Sequence, residues 1–206
     1  MLEFFKQLTD PQSIIHYGGL ALLLFVVFAE TGLLIGFFLP GDSLIFISGL
    51  LCVSKPELLG VNLITLIASL AAAAILGNVV GYWFGYKVGL PLFERKDSLI
   101  FKKKYLLATK AFYDKNGGKT LILGRFLPII RTFAPILAGV IKLDFKQFML
   151  FNVVGAIAWI GLLASIGYYL GSYVWVQQNV GYIVIGLIII TAIPVITTYL
   201  KEKKKN

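Results

Sequence analysis

The sequence predicts an all-α integral membrane protein. Its plan is an inverted repeat of two re-entrant helical hairpins, each followed by a full span, with a C-terminal transmembrane helix and amphipathic surface helices. Of the 206 residues, 58% are hydrophobic and 14% are charged, and the mean hydropathy is +0.86, whereas soluble domains carry about 25% charged residues. A helix needs about 20 apolar residues to cross a bilayer. The length therefore allows roughly four to six membrane segments within a single membrane domain over residues 1–206.

The positive charge lies in two stretches. The net charge is +9, of which residues 87–119 contribute +6 and the tail at 201–206 contributes +3. Lysine and arginine collect in short cytoplasmic loops, so we expect both stretches on the cytoplasmic side. Nucleic-acid binding is the rival interpretation of a basic chain. We exclude nucleic acid as a partner because these lysines flank apolar spans.

The chain begins with a predicted interfacial segment and a broken helix. Residues 1–17 mix apolar and polar side chains, which is typical of a segment at the membrane surface. Residues 18–53 are long and apolar, but they carry Glu30 and a break at Pro40–Asp42, where proline and glycine end a helix. Two apolar arms around a polar break predict a re-entrant hairpin, because non-helical backbone at membrane depth must be buried in protein or face water.

Residues 58–88 form the first predicted full span. Its second half has a glycine every four residues, which allows another helix to approach one face closely. These glycines are Gly77, Gly81, Gly85 and Gly89. We favour tight packing within one chain, and a homodimer seam is the alternative. Beyond the span, residues 97–116 predict an amphipathic helix on the cytoplasmic face.

The second half repeats the order of the first. Residues 120–140 are apolar and interrupted by arginines and prolines, and they predict a second re-entrant hairpin. Residues 148–173 and 182–199 predict two further spans, the last of which leads into the basic tail at 201–206. The predicted hairpin breaks are Pro40, Gly41, Pro128 and Pro135.

The two halves also share a pattern at an offset of 90 positions. Gly49 matches Gly139, Gly77 matches Gly167, and Gly81 matches Gly171. The first span must end at the basic cytoplasmic loop, and the second starts near Lys142 and Lys146. The two units therefore run in opposite directions. Inverted repeats with broken helices and a midplane site occur in secondary transporters.

Four ionisable residues lie inside the apolar hairpins: Glu30, Asp42, Arg125 and Arg131. Each is costly in hydrocarbon unless it is paired or hydrated. One interpretation is a pair of buried salt bridges that only hold the hairpins together. The other is a polar cavity in which the arginines grip an anion and the acids carry protons, since arginine can bond two phosphate oxygens and stays charged.

The sequence contains no enzyme signature. We find no P-loop, HExxH, GxSxG or GxGxxG motif, and the single histidine, His16, cannot form a multi-histidine metal site. We therefore expect no catalytic residue, no metal and no cofactor.

The residues around these charges resemble the DedA family, also called the SNARE-associated or VTT-domain family. The resemblance covers residues 15–175 approximately. It rests on Phe38-Leu39-Pro40-Gly41-Asp42-Ser43, with Glu30 before it, and on Gly124-Arg125-Phe126-Leu127-Pro128-Ile129-Ile130-Arg131, followed by Ala138-Gly139. It implies that the matching acids and arginines are needed for function.

The resemblance also implies a lipid translocase of the bacterial inner membrane. In this family the cargo is undecaprenyl phosphate or a phospholipid such as phosphatidylethanolamine, and transport is linked to the proton motive force. Arg125 and Arg131 are then expected to bind the lipid phosphate, and Glu30 and Asp42 to carry the proton. The sequence leaves open a proton-coupled antiporter of small ions and a non-transporting scaffold. It also leaves open which acid titrates.

Overall fold

The computed structural model describes residues 11–32, 41–94, 128–183, 185 and 186. All the regular structure in these residues is helical, as the sequence predicts. The helices are α1 (Pro11–Gly32), α2 (Gly41–Ser54), α3 (Pro56–Leu59), α4 (Leu63–Glu94), α5 (Pro128–Val140), α6 (Phe145–Leu170) and α7 (Val174–Gln178).

Two of the described helices are long and apolar enough to cross a membrane. They are Leu63–Val88 within α4, and α6, and they correspond to the spans predicted at 58–88 and 148–173. The predicted surface helix at 97–116, the tail at 201–206 and most of the span at 182–199 lie outside the described residues, as do Pro40 and Arg125. What the sequence predicts for these residues stays a prediction.

Helix α1 is kinked at Gly19. This residue has φ +52° and ψ −146°, a backbone conformation that glycine adopts readily because it has no Cβ. The kink lies close to the predicted boundary between the interfacial segment and the first hairpin, which we set after Tyr17. Helix α1 therefore contains the described end of the predicted interfacial segment and the first arm of the predicted hairpin, and it changes direction between them at Gly19.

Helices α1 and α2 fold back on each other. At one end, both helices approach the connection that follows α2: a Cβ added to Gly19 of α1 would lie 3.7 Å from the carbonyl oxygen of Leu58 on α3, and the Cys52 thiol of α2 lies 3.7 Å from the carbonyl oxygen of Val61. At the other end, the side chain of Glu30 contacts Gly41. The two helices thus pack against each other. That they form a re-entrant hairpin, and that α5 belongs to a second one, stays a prediction.

Helices α2 and α5, which the sequence predicts as the second arms of the two hairpins, each pack on the long helix of the other half. Helix α2 packs on α6, and α5 packs on α4. At these crossings the helices approach closely enough that a Cβ on Gly49 would meet the Ala164 carbonyl, and a Cβ on Gly139 would meet the Tyr82 carbonyl. Because the backbones are in contact, only glycine fits.

The glycines of α4 are used within the chain. Gly77 faces Phe28 and Thr31 on α1, and Gly85 faces the carbonyl oxygen of Ile136 on α5. The favoured interpretation of the repeating glycines, close packing inside one chain, agrees with these contacts. They also explain why α4 lies at the centre of the described bundle, with α1, α5 and α6 packed against it.

The internal repeat needs one correction. The hairpin glycines Gly49 and Gly139 occupy equivalent crossings at the predicted offset of 90. In the spans, however, Gly167 meets the Phe46 carbonyl in the way that Gly85, and not Gly77, meets the Ile136 carbonyl. The spans thus correspond at an offset of 82, because the connection between hairpin and span is longer in the first half, where it includes α3.

One predicted hairpin break is also different in the structure. Gly41 and Pro128 are the first residues of α2 and α5, whereas Pro135 lies inside α5 and the helix continues through it. The proline ring removes a single backbone hydrogen bond. A Cβ added to Gly81 on α4 would lie 3.6 Å from the Cβ of Pro135, so packing against α4 supports the helix at this point.

Candidate functional site

Three of the predicted charged residues meet where three helices end or begin. Glu30 is in the last turn of α1, Asp42 is in the first turn of α2, and Arg131 is in the first turn of α5. Arg131 donates a hydrogen bond from Nη2 to Oε1 of Glu30 and another from Nη1 to Oδ1 of Asp42. The guanidinium therefore joins α1 and α2 to α5.

The cluster is buried. The side chains of Arg131 and Glu30 are 5% and 6% exposed, and that of Asp42 is 17% exposed. A buried charge is tolerated when it is paired and hydrogen-bonded. This explains why the three charged side chains lie next to one another. Two carboxylates and one guanidinium give these three residues a formal charge of −1. Arg125, the fourth predicted member, lies outside the described residues.

Gly41 makes room for Glu30. A Cβ at this position would collide with Oε2 of Glu30. We predicted Gly41 as a helix break, and the structure adds a second reason for glycine there. A larger residue would force the Glu30 carboxylate away from Arg131.

One donor nitrogen of Arg131 makes no hydrogen bond to the described residues. Its Nε is buried and has no hydrogen-bond acceptor among the described residues. In a guanidinium, the N–H groups of Nε and Nη2 point the same way along one edge, and carboxylate or phosphate can bond both of them. Glu30 bonds Nη2, one nitrogen of this edge, and Nε is the other nitrogen of the edge.

Trp159 on α6 is a member of the site that the sequence did not reveal. Its indole Nε1 donates a 3.1 Å hydrogen bond to Oδ1 of Asp42, and its ring centroid lies 6.0 Å from Cζ of Arg131. A tryptophan within an apolar span looks like a core or lipid-facing residue. The available signal was its place in the middle of α6, since tryptophan usually lies at the membrane interfaces.

A second buried polar contact joins the two spans. Asn78 on α4 donates a 2.7 Å hydrogen bond from its side-chain nitrogen to the side-chain oxygen of Asn152 on α6. Asn152 donates in turn to the carbonyl oxygen of Ile75 at 3.2 Å. Both asparagines are buried, and the sequence analysis did not single them out.

The fold and the site together define a helical membrane protein with a buried arginine held by two carboxylates. A family model described as the VTT domain matches residues 39–169. Protein DedA of Escherichia coli K12 is 39% identical over 184 residues, which are 89% of this chain and 83% of that protein. The chain therefore belongs to the DedA family of VTT-domain membrane proteins, as the two hairpin motifs predict.

Other relatives are also membrane proteins by name. An uncharacterized membrane protein of Mycobacterium leprae is 36% identical over 184 residues, covering 89% of this chain and 81% of the relative. Inner membrane protein YghB of E. coli K12 is 32% identical over 177 residues, covering 85% of this chain and 77% of the relative. These names state a membrane location and no enzymatic activity. No solved structure matches the chain.

Proposed function

We propose that this protein is a lipid translocase of the bacterial inner membrane. Its cargo is an anionic lipid such as undecaprenyl phosphate, or a phospholipid such as phosphatidylethanolamine. The observation that supports this function most directly is the buried Arg131, which is held by two carboxylates and whose Nε has no acceptor in the part of the chain that the structure describes.

The guanidinium suits a lipid phosphate. Its planar fork bonds two oxygens of one phosphate, and it stays charged at any physiological pH. A phosphate that bonds Nε and Nη2 would complete the edge that Glu30 uses only in part. Arg125 is the second arginine that we assign to the headgroup, from the matching hairpin motif. The acyl or prenyl tails can remain in the bilayer, so the protein needs to shelter only the head.

Proton coupling follows from the charge of the cargo. With a negative cell interior, moving one negative charge inward costs about 2.3 kcal/mol per 100 mV, and a proton moved with the lipid offsets that cost. Glu30 and Asp42 are the candidate carriers because both contact Arg131. If one acid takes a proton as a singly charged phosphate arrives, the formal charge of the site remains −1.

The test is a leaflet-exposure assay on the purified protein in liposomes. A fluorescent phosphatidylethanolamine or polyprenyl phosphate is loaded, and an impermeant quencher reports the fraction in the outer leaflet, with and without a pH gradient. We expect faster exchange than in empty liposomes, acceleration by the gradient, and loss of exchange in Arg131→Ala. Lys55→Arg, at an exposed position, is the control and should exchange normally.

The assay also separates the alternatives. A cation flux driven by the pH gradient without lipid movement would favour the antiporter, which gives Nε of Arg131 no anion to bind. Wild-type protein that moves neither lipids nor ions in these liposomes would favour the scaffold, in which the buried ion pairs only hold α1, α2 and α5 together. Either result would overturn the translocase.

A further inference from the structure

The two carboxylates that bond Arg131 have different surroundings, because Asp42 also accepts a hydrogen bond from Trp159. We propose that Trp159 is a positioning residue that keeps Asp42 on Arg131, so that Glu30 is the carboxylate that leaves the arginine and takes the coupling proton. This inference rests on the proposed function, since it names the acid that couples proton to lipid phosphate.

Three features of its surroundings keep Asp42 in place beside Arg131. Oδ1 accepts hydrogen bonds from both Nη1 of Arg131 and Nε1 of Trp159. The residue lies in the first turn of the 14-residue helix α2, where the positive end of the helix dipole stabilises a negative charge. Its side chain is also the most exposed of the three, which allows partial hydration. Releasing Asp42 would break several favourable interactions at once.

Glu30 has the opposite environment. It lies in the last turn of α1, where the negative end of the helix dipole disfavours a carboxylate. In the described part of the chain it accepts a hydrogen bond only from Arg131. The charged groups that act on it are Arg131 from α5 and Asp42 from α2, and on the α4 side Gly77 and Gly81 lie against Gly32 near this end of α1. A proton on Glu30 removes the less stable of the two negative charges.

The geometry makes Glu30 the group that a phosphate can replace. Glu30 contacts Nη2, which shares an edge with the unused Nε, whereas Asp42 is on Nη1. A phosphate that displaces Glu30 gains both N–H groups of that edge, and Asp42 can stay in place. The exchange therefore breaks one hydrogen bond, from Nη2 to Glu30, and forms two, from Nη2 and Nε to phosphate oxygens. A proton from solvent then binds the Glu30 carboxylate.

Infrared difference spectroscopy on the purified protein tests the assignment without any transport. A pH step should produce the carbonyl band of a protonated carboxylic acid in the wild type. We expect Glu30→Gln to remove this band and Asp42→Asn to retain it. A band that is lost in Asp42→Asn and kept in Glu30→Gln would assign the proton to Asp42 and overturn the proposal, as would a wild type in which neither acid titrates.

Trp159→Phe tests the positioning role, because it removes the N–H donor and keeps an aromatic ring. We expect a second carboxyl band, absent when Asp42→Asn is added, and a shift of about one pH unit in the pH dependence of lipid exchange. Trp175→Phe makes the same change at an exposed tryptophan and should leave both readouts unchanged. A Trp159→Phe protein with the wild-type spectrum and pH profile would contradict the positioning role.

A second variant covers the case in which Trp159→Phe does not fold. Benzothienylalanine at position 159 keeps the bicyclic shape and replaces the N–H with sulfur, so it should reproduce the spectral change. The two proposals also fail separately. If the infrared assignment holds but no lipid moves in liposomes, the translocase is wrong and the proton site remains. If lipid moves but the band belongs to Asp42, only this inference is wrong.

Discussion

The carboxylate of Glu30 lies against Gly41, in the space that the Cβ of any other residue would occupy. This contact joins the last turn of α1 to the first residue of α2 and positions Glu30 beside Arg131. A methyl group at position 41 would therefore displace the Glu30 carboxylate from its place beside Arg131.

Gly41→Ala is therefore expected to reduce lipid exchange at least tenfold. The added methyl collides with Oε2 of Glu30, and overpacking a buried position costs about 1–3 kcal/mol. Here the overpacking weakens the ion pair between Glu30 and Arg131. The leaflet-exposure assay measures the rate. Gly161→Ala is the matched control, since nothing lies within 4 Å of that position. Normal exchange by Gly41→Ala would mean that the position of Glu30 does not matter.

Arg131→Lys is expected to behave nearly as badly as Arg131→Ala. An ammonium keeps the charge but lacks the planar fork that bonds Glu30 and Asp42 from separate nitrogens and that would bond the proposed phosphate with two. The loss of one hydrogen bond to a charged group, about 1.5–3 kcal/mol, corresponds to tenfold or more in rate. Lipid exchange that is restored by lysine would argue that Arg131 is only a counter-ion for the acids.

The close helix crossings should be sensitive to a single methyl group. Gly85→Ala and Gly139→Ala place a Cβ against backbone carbonyls, of Ile136 and Tyr82 respectively, and each should destabilise the protein by about 1–3 kcal/mol. Thermal unfolding followed by fluorescence-detected size exclusion would measure the effect. Gly161→Ala should have no such effect, because the site is open. Equal stability of all three variants would refute the crossings described here.

The contact between Asn78 and Asn152 should give a measurable coupling energy between the spans. A double-mutant cycle with Asn78→Ala and Asn152→Ala, read by unfolding in a detergent titration, is expected to give about 0.6 kcal/mol, and at most about 2. Asn179→Ala, at the half-buried residue that follows α7, should be additive with Asn78→Ala. Strict additivity of the first pair as well would show that the hydrogen bond does not stabilise the fold.

The charge distribution predicts the topology. Cysteines placed at Lys103 and at Lys204, each in a Cys52→Ser background, should react with an impermeant reagent only after the cells are permeabilised, because both basic stretches are expected in the cytoplasm. A cysteine at the exposed Lys55 provides a comparison from outside these stretches. Labelling of position 103 or 204 in intact cells would contradict the orientation that we propose.

The sequence by itself determined the class of protein, its family and the three charged residues of the buried site. Few charges and long apolar stretches require a membrane, and charges inside such stretches must find partners, so Glu30, Asp42 and Arg131 could be selected without coordinates. The close packing of the α4 glycines within one chain also followed from their spacing. These conclusions depend on local patterns, which the chain carries in any fold.

Only the tertiary structure decided how the site is built. That Arg131 bonds Glu30 and Asp42 through different nitrogens, and that Trp159 lies beside Asp42, depends on residues more than 80 positions apart in the chain. Hydropathy could not select Trp159 or Asn152, because in a membrane protein the outer face is as apolar as the core: Leu150 is 61% exposed, whereas Ile160 is buried. Without a polar face, a span gives no periodic signal for which side meets its neighbours, so those contacts were determined by packing alone.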